Sequence, residues 1–275
     1  MIPFTKAHAC GNDFLIVTEE AARSAAGDDW AALTRRLCAR NTGVGADGVE
    51  FFAWLGPKKG RIRLHNADGS IAEISGNGTR CVAAWMAEAL GSKPGDDLEI
   101  LTDAGPRVCH VNALYTKEGF AAEVTAKMGV PTFAERTVRL GGGLEIAGAE
   151  VSTGNPHFVI EVDNPKFTVA GRAWQTIGAE ICVHPDFPNQ TNAEFVRIVG
   201  PTEIEIRIFE RGVGPTTSSG TGSSAAASAV LAMKSCRSPL RVVAPGGPQT
   251  VTWDGPGKEL MLTGPATLIA RGEAW

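Results

Sequence analysis

The segment Glu73-Ile74-Ser75-Gly76-Asn77-Gly78-Thr79-Arg80, running into the apolar stretch Cys81-Val82-Ala83-Ala84-Trp85-Met86-Ala87, decides how the whole chain reads. It returns 144 positions later as Ser219-Gly220-Thr221-Gly222-Ser223-Ser224, which opens the alanine-rich stretch from Ala225 to Ala232. Each copy offers a hydroxyl, two glycines and then a helical pattern. Such a turn presents backbone N–H groups at the positive end of a helix dipole, where a carboxylate or phosphate can sit. A Gly-x-Gly before a helix is by itself a weak signal, because it often marks only a tight turn.

The same offset recurs along the chain. It carries Trp30, Leu33, Leu37 and Cys38 to Trp174, Ile177, Ile181 and Cys182, Phe51 to Phe195, and Asn66 to Glu210. At 143 positions, Gly11-Asn12-Asp13-Phe14-Leu15-Ile16 falls on Gly154-Asn155-Pro156-His157-Phe158-Val159. A period this long is duplication of a half-chain and not a short solenoid unit. Two related lobes are expected, with their paired turns facing one another across a cleft.

Composition narrows the function. The 275 residues, 43% hydrophobic and 20% charged, suit a globular protein with two cores. A formal charge of −4 without a basic run argues against a nucleic acid or an anionic membrane as partner and favours a small molecule. Cys10, Cys38, Cys81, Cys109, Cys182 and Cys236 are scattered, and the start Met1-Ile2-Pro3-Phe4-Thr5-Lys6 lacks a secretory pattern, so a reduced, cytoplasmic protein is expected. The apolar run Ala225 to Met233 is too short to cross a bilayer. His8, His65, His110, His157 and His184 show no metal-ligand spacing, and neither metal nor cofactor is expected.

Strands are expected at Ile2 to Ala7, Asp13 to Thr18, Val49 to Trp54, Arg61 to His65, Leu98 to Thr102, Arg107 to Ala113 and Ala121 to Met128. Helices are expected from Trp30, capped by Asp28-Asp29, and after the first glycine turn as far as Leu90-Gly91. The second half repeats this with strands at Leu144 to Val151, His157 to Val162, Phe195 to Val199 and Glu203 to Phe209, and helices at Trp174 to Cys182 and Gly222 to Met233. Late strands follow at Leu240 to Ala244, Thr250 to Trp253 and Glu259 to Thr263. The fold class is therefore α+β, two similar lobes, each a mainly antiparallel sheet wrapped around a central helix. The lobes are expected at 1–118 and 119–263, with a strand near 264–275 packing on the first and the linker in the turn-rich segment Gly129 to Arg139.

Several ordered motifs resemble the diaminopimelate epimerase family from Phe4 to Ala270. They are Gly11-Asn12-Asp13-Phe14, Thr42-Gly43-Val44-Gly45-Ala46-Asp47-Gly48, Asn66-Ala67-Asp68-Gly69-Ser70, Gly76-Asn77-Gly78-Thr79-Arg80-Cys81, Gly154-Asn155-Pro156-His157, Glu210-Arg211-Gly212 and Ser219-Gly220-Thr221-Gly222. The resemblance implies two lobes with the active site between them, a homodimer, and epimerisation of one stereocentre of diaminopimelate without pyridoxal phosphate. It implies two acid/base residues at helix N-termini, cysteines in the family. Here those positions are Ser75 and Ser219, and a hydroxyl is far less acidic than a thiol.

By the same resemblance the substrate's α-carboxylate rests on N–H groups of Gly76, Asn77, Gly220 and Thr221. Asn66, Asn155, Asn192, Glu210 and Arg211 read the distal amino-acid end, and Asn12 and His157 stand near the reacting centre. Arg211 can clamp a carboxylate with two parallel bonds, and Glu210 can accept from an ammonium. Read without the family, Ser75 and Ser219 are helix N-caps, the asparagines are turn residues and Glu210-Arg211 is an exposed ion pair. Two alternatives stay open: another racemase, isomerase or dehydratase with a carboxylate base, for which Glu73 is the candidate, and a non-catalytic amino-acid-binding protein.

Overall fold

The computed structural model describes residues 1–117, 119–233 and 235–275. The chain divides into two compact units, Met1–Lys127 with Gly264–Trp275, and Met128–Thr263. In the first, β1 (Ile2–Ala9) and β2 (Asn12–Thr18) form a hairpin, and Cys10 and Gly11 turn the chain at φ 51° and 79°. Then come α1 (Glu19–Ala26), α2 (Trp30–Cys38), β3 (Gly48–Gly56), β4 (Lys59–Asn66), the short β5 (Ile71–Ala72), α3 (Gly76–Leu90), β6 (Asp97–Thr102), β7 (Gly105–Tyr115) and β8 (Phe120–Gly129). Strand pairing is mainly antiparallel, with β2·β3 and β4·β6 parallel.

The sheet of this unit wraps α3, which touches β1, β2, β6 and β7. From Gly76 to Ala84 every residue of α3 is buried, so the helix is enclosed on all sides rather than amphipathic. It ends at Gly91, whose φ of 60° and ψ of 38° are the left-handed conformation glycine adopts without strain. On the outer face of the sheet α2 lays Trp30, Leu33, Leu37 and Cys38 on Phe51, and the Trp30 and Phe51 rings lie 4.7 Å apart.

The second unit contains β9 (Thr132–Arg139), β10 (Glu145–Ser152), β11 (Pro156–Glu161), α4 (Trp174–Cys182), β12 (Asn192–Gly200), β13 (Glu203–Glu210), β14 (Gly214–Thr216), α5 (Gly220–Ala232), β15 (Leu240–Ala244) and β16 (Gly247–Thr252). Its sheet wraps α5, which touches β10, β11, β12, β13, β15 and β16 and is buried from Gly220 to Val230. Alanine and serine dominate this helix because strands approach it from every side. Outside the sheet α4 repeats the packing of α2, with Ile177, Ile181 and Cys182 on Phe195.

The repeat is visible in element bounds and in register. Helices α2 and α4, strands β3 and β12, strands β4 and β13, and the starts of α3 and α5 all differ by 144 positions. The parallel pair Phe14↔Gly48 has its counterpart in His157↔Asn192. Finally β17 (Leu260–Ala274) pairs with β16 through Met261–Thr263 and with β1 from Thr267 to Ala274.

Three sequence expectations need correction, and one helix lies outside them. The division falls after Lys127 and not after residue 118, because β8 is hydrogen-bonded to β7 from Ala121↔Tyr115 to Ala126↔Cys109. The segment expected to hold the linker is largely β9, paired with β10 from Thr132↔Ser152 to Arg139↔Glu145. Helix α1, capped by Thr18, was not foreseen, since its polar sequence Glu19-Glu20-Ala21-Ala22-Arg23-Ser24 buries only Glu19 and Ala22. Helix α5 begins at Gly220, not Gly222, because Ser219 caps it. Among the described residues no helix is long and apolar enough to cross a membrane.

Candidate active site

In the first unit the site residues gather where β2, β3 and β4 meet the start of α3. Ser75 has extended φ and ψ of −123° and 123°, and its Oγ accepts the N–H of Gly78 at 3.0 Å while its carbonyl accepts the N–H of Thr79 at 2.9 Å. This is an N-cap. The cap satisfies the third and fourth N–H groups and leaves the earlier one at Gly76 for something outside the helix.

Asn77 is fully buried and held on both ends of its amide. Arg80 Nη2 donates to its Oδ1 at 2.7 Å, and its Nδ2 donates to Asn12 Oδ1 at 3.1 Å. Asn12 in turn donates to Asp47 Oδ2 at 2.7 Å, and Arg40 bridges Asp47 and Asp13. Burial pushes the Asp13 carboxyl up, but hydrogen bonds from Arg40 and Lys6 outweigh it and hold the group below the usual carboxylate range. Asn66 closes the turn after β4, donating to Ser70 Oγ at 3.1 Å, and the next residue, Ala67, donates its N–H to the Asp47 carbonyl. Asn12, Asn66, Ser75, Gly76 and Asn77 are therefore brought together around Asp47 and the first turn of α3.

The second unit repeats the arrangement with different chemistry. Ser219 caps α5, accepting the N–H of Gly222 at 3.2 Å, and lies 3.4 Å from Thr221 Oγ1. Asn155 Nδ2 donates to Thr221 Oγ1 at 3.3 Å. His157 is wholly buried between two oxygens, Asn155 Oδ1 at 2.9 Å from Nε2 and Glu194 Oε1 at 2.7 Å from Nδ1. One strand over, Asn192 donates to the Pro156 carbonyl at 3.1 Å and accepts the Arg211 N–H at 2.9 Å. Thr216 donates to Glu210 Oε1 at 2.7 Å, and Arg211 Nη1 donates to the Asn189 carbonyl. Gly220, Thr221, Asn155, His157, Asn192, Glu210 and Arg211 thus share one end of this unit.

Sequence reasoning missed two residues in particular. Glu50 and Glu194 are fully buried acids on β3 and β12, again 144 positions apart. A Cβ added at Gly78 would lie 1.9 Å from Glu50 Oε1 and 3.2 Å from Ser75 Cβ; one added at Gly222 would lie 2.9 Å from Glu194 Oε1 and 3.3 Å from Ser219 Oγ. The second glycine of each Gly-x-Gly is therefore required by the carboxylate pressed against it. The signal was present as a lone acid in the apolar strand Val49-Glu50-Phe51-Phe52, with its repeat partner in Ala193-Glu194-Phe195-Val196. Glu73, the carboxylate considered from sequence, is exposed.

Burial also governs the thiols. Burial pushes Cys38, Cys109 and Cys182 up to about 12, and Cys81 is raised further. All six cysteines are buried, Cys10 at the left-handed turn before Gly11.

Comparison with known proteins gives similarity along nearly the whole chain. The family model described as diaminopimelate epimerase matches residues 4–134 and 150–269. The diaminopimelate epimerase of Carboxydothermus hydrogenoformans is 34% identical over 278 residues, covering 98% of each chain. Among solved structures, a probable proline racemase from Agrobacterium radiobacter superposes with a TM-score of 0.76 at 16% identity, covering 99% of this chain and 92% of that one. A hydroxyproline epimerase from Agrobacterium vitis gives a TM-score of 0.72 at 17% identity, covering 99% and 91%. These two distant likenesses speak to the fold.

Proposed function

The chain belongs to the diaminopimelate epimerase family, isomerase-type enzymes acting on amino acids, and from that premise we propose that it interconverts LL- and meso-diaminopimelate with Ser75 and Ser219 as the acid/base pair. The observation that carries the reading is the duplicated serine cap. Each serine oxygen sits at the positive end of a buried helix, next to a first-turn N–H outside the helix's own hydrogen bonding. A substrate α-carboxylate on Gly76, Asn77, Gly220 and Thr221 places its α-carbon beside the hydroxyls. The same N–H groups stabilise the charge that spreads onto the carboxylate when the α-proton leaves.

Ser75 takes the α-proton in one direction of reaction and Ser219 in the other, and no cofactor enters either step. Asn12 and His157 flank the reacting centre. The distal end is read by Asn66, Asn155, Asn192, Glu210 and Arg211, with Arg211 on the carboxylate and Glu210 on the ammonium. Two polar ends separated by an apolar stem distinguish diaminopimelate from amino acids with one charged end.

The test is proton NMR of LL- and meso-diaminopimelate with the protein in deuterated water. Loss of the α-proton signal together with interconversion of the two epimers is expected. An unchanged α-proton at concentrations where binding is confirmed by thermal stabilisation overturns the reading.

A further inference from the structure

Among the acids of the first unit, Glu50 is fully buried and neither carboxylate oxygen has a hydrogen-bond partner. A native structure rarely leaves such a group without a reason. Leucine at this position would fill the same space with no polar atom to satisfy. The strand neighbours in register with Glu50 are Ile16 on β2 and Leu64 on β4, so the sheet offers it nothing polar. Its carboxyl points at Gly78, one face of which it shares with Ser75.

The repeat sharpens the point. Glu194 occupies the equivalent place against Gly222 and Ser219, but its Oε1 is taken by His157. The first unit has no histidine there, since Phe14 stands where the repeat has His157. The two serine caps are thus each backed by a buried carboxyl, one alone and one paired with an imidazole.

We propose that Glu50 is the proton-holding positioning residue behind Ser75. This rests on the reading of Ser75 as an acid/base group. When substrate binding brings Ser75 Oγ within hydrogen-bond reach of Glu50 and the substrate Cα–H bond breaks, its proton goes to Ser75 Oγ as the serine's own hydroxyl proton passes to the Glu50 carboxylate. The electron pair left on Cα is delocalised into the substrate carboxylate until the Ser219 hydroxyl delivers its proton to the opposite face; in the reverse direction Ser75 gives its proton to Cα as the Glu50 carboxyl returns one to Ser75. Ser75 then never has to exist as a free alkoxide, which removes the obstacle that a serine poses at a cysteine position.

The electrostatics suit the task. Burial, and then the Asp103 carboxylate on the turn between β6 and β7, push Glu50 up to about 8. That range lets a carboxyl both accept and return a proton near neutrality. The other titratable group acting with it is Cys81 on α3, whose thiol burial keeps protonated. Beyond these, Arg61 of β4 is paired with Glu19 of α1 and is also within the field of Asp103.

The experiment compares wild type, Glu50→Gln, Ser75→Cys and the double variant Glu50→Gln/Ser75→Cys in the α-proton exchange assay across pH 6–10. Melting and diaminopimelate binding of each are measured alongside. Glu50→Gln is expected to lower kcat about 100-fold or more with KM within about threefold, the usual scale for losing a general base, and to abolish the wild-type limb near pH 8. In the Ser75→Cys background the same change is expected to cost less than about threefold, because a thiol at a helix N-terminus ionises without a carboxyl behind it. Exchange by wild type that is unaltered in Glu50→Gln overturns this inference alone, as does an equal loss in both backgrounds, which marks a structural role. No exchange by wild type overturns the proposed function and this inference together. If Glu50→Gln does not fold, Glu50→Leu with the same two backgrounds gives the same contrast.

Discussion

His157 Nδ1 lies 2.7 Å from Glu194 Oε1, with both side chains at 0% exposure. The pair joins neighbouring parallel strands β11 and β12 beneath the first turn of α5. Removing His157 leaves the buried Glu194 carboxyl without this partner. His157→Ala is expected to destabilise the protein by about 3–5 kcal/mol, the range for breaking a buried pair. Urea unfolding should show the midpoint falling at unchanged slope. A loss under about 1 kcal/mol would show that the pair is not held as described.

Gly78 and Glu50 form a tighter relationship. Gly78→Ala places a methyl 1.9 Å from Glu50 Oε1, beside the Ser75 cap, so backbone or carboxyl must move. A loss of about 1–3 kcal/mol is expected, as for overpacking. Combining it with Glu50→Ala should recover part of that loss, and the double-mutant cycle measures how much. Additive losses would mean the clash is relieved elsewhere.

Stability should depend on pH through Glu50. Its folded-state value, raised by burial and Asp103 to about 8, exceeds the ordinary 4.5. Between these values the native state binds a proton that the unfolded chain has lost, so its contribution is full below about pH 4.5 and is lost as pH rises through about 8. The total is on the order of a few kcal/mol. His65, lowered by burial, acts with the opposite sign below about pH 6.5. The difference between wild type and Glu50→Gln isolates the term: melting temperatures should converge near pH 5 and the variant should be the more stable at pH 8.5. Parallel pH curves would refute the assignment.

Restoring thiols is expected to raise activity. Ser75→Cys with Ser219→Cys puts two thiols at helix N-termini, where the dipole favours thiolate. Exchange of the diaminopimelate α-proton should rise at least about tenfold over wild type, with a pH profile set by thiol ionisation. A well-folded double variant no faster than wild type would count against both serine positions.

Ser219→Ala tests the cap apart from the chemistry. It removes the acceptor for the Gly222 N–H and is expected to cost about 0.5–2 kcal/mol. Ser219→Asp keeps an N-cap acceptor and should restore stability but not exchange, so the two measurements separate folding from proton transfer.

Much of this was legible in sequence because it depends on local periodicity and repetition. The outer stripes Trp30-Leu33-Leu37 and Trp174-Ile177-Ile181, the glycine turns and the 144-residue offset are patterns along one dimension. Strand β9 escaped because Thr132-Phe133-Ala134-Glu135-Arg136-Thr137 is nearly all exposed, so no alternation of buried and open positions marks it. Helix α1 escaped for a similar reason: few of its residues are buried, and the fold rather than an apolar stripe holds it.

The sequence by itself determined the duplicated α+β plan, the two serine-capped helices and the family, since each follows from residue type and spacing. What Glu50, Glu194 and Arg80 do was decided only by tertiary structure. An acid in an apolar strand reads as an exposed edge until the sheet wraps a helix over it, and a helical arginine reads as solvated until its guanidinium is found buried on Asn77. Burial and proximity are properties of three-dimensional packing. They turn an ordinary carboxylate into a group that holds a proton near neutrality.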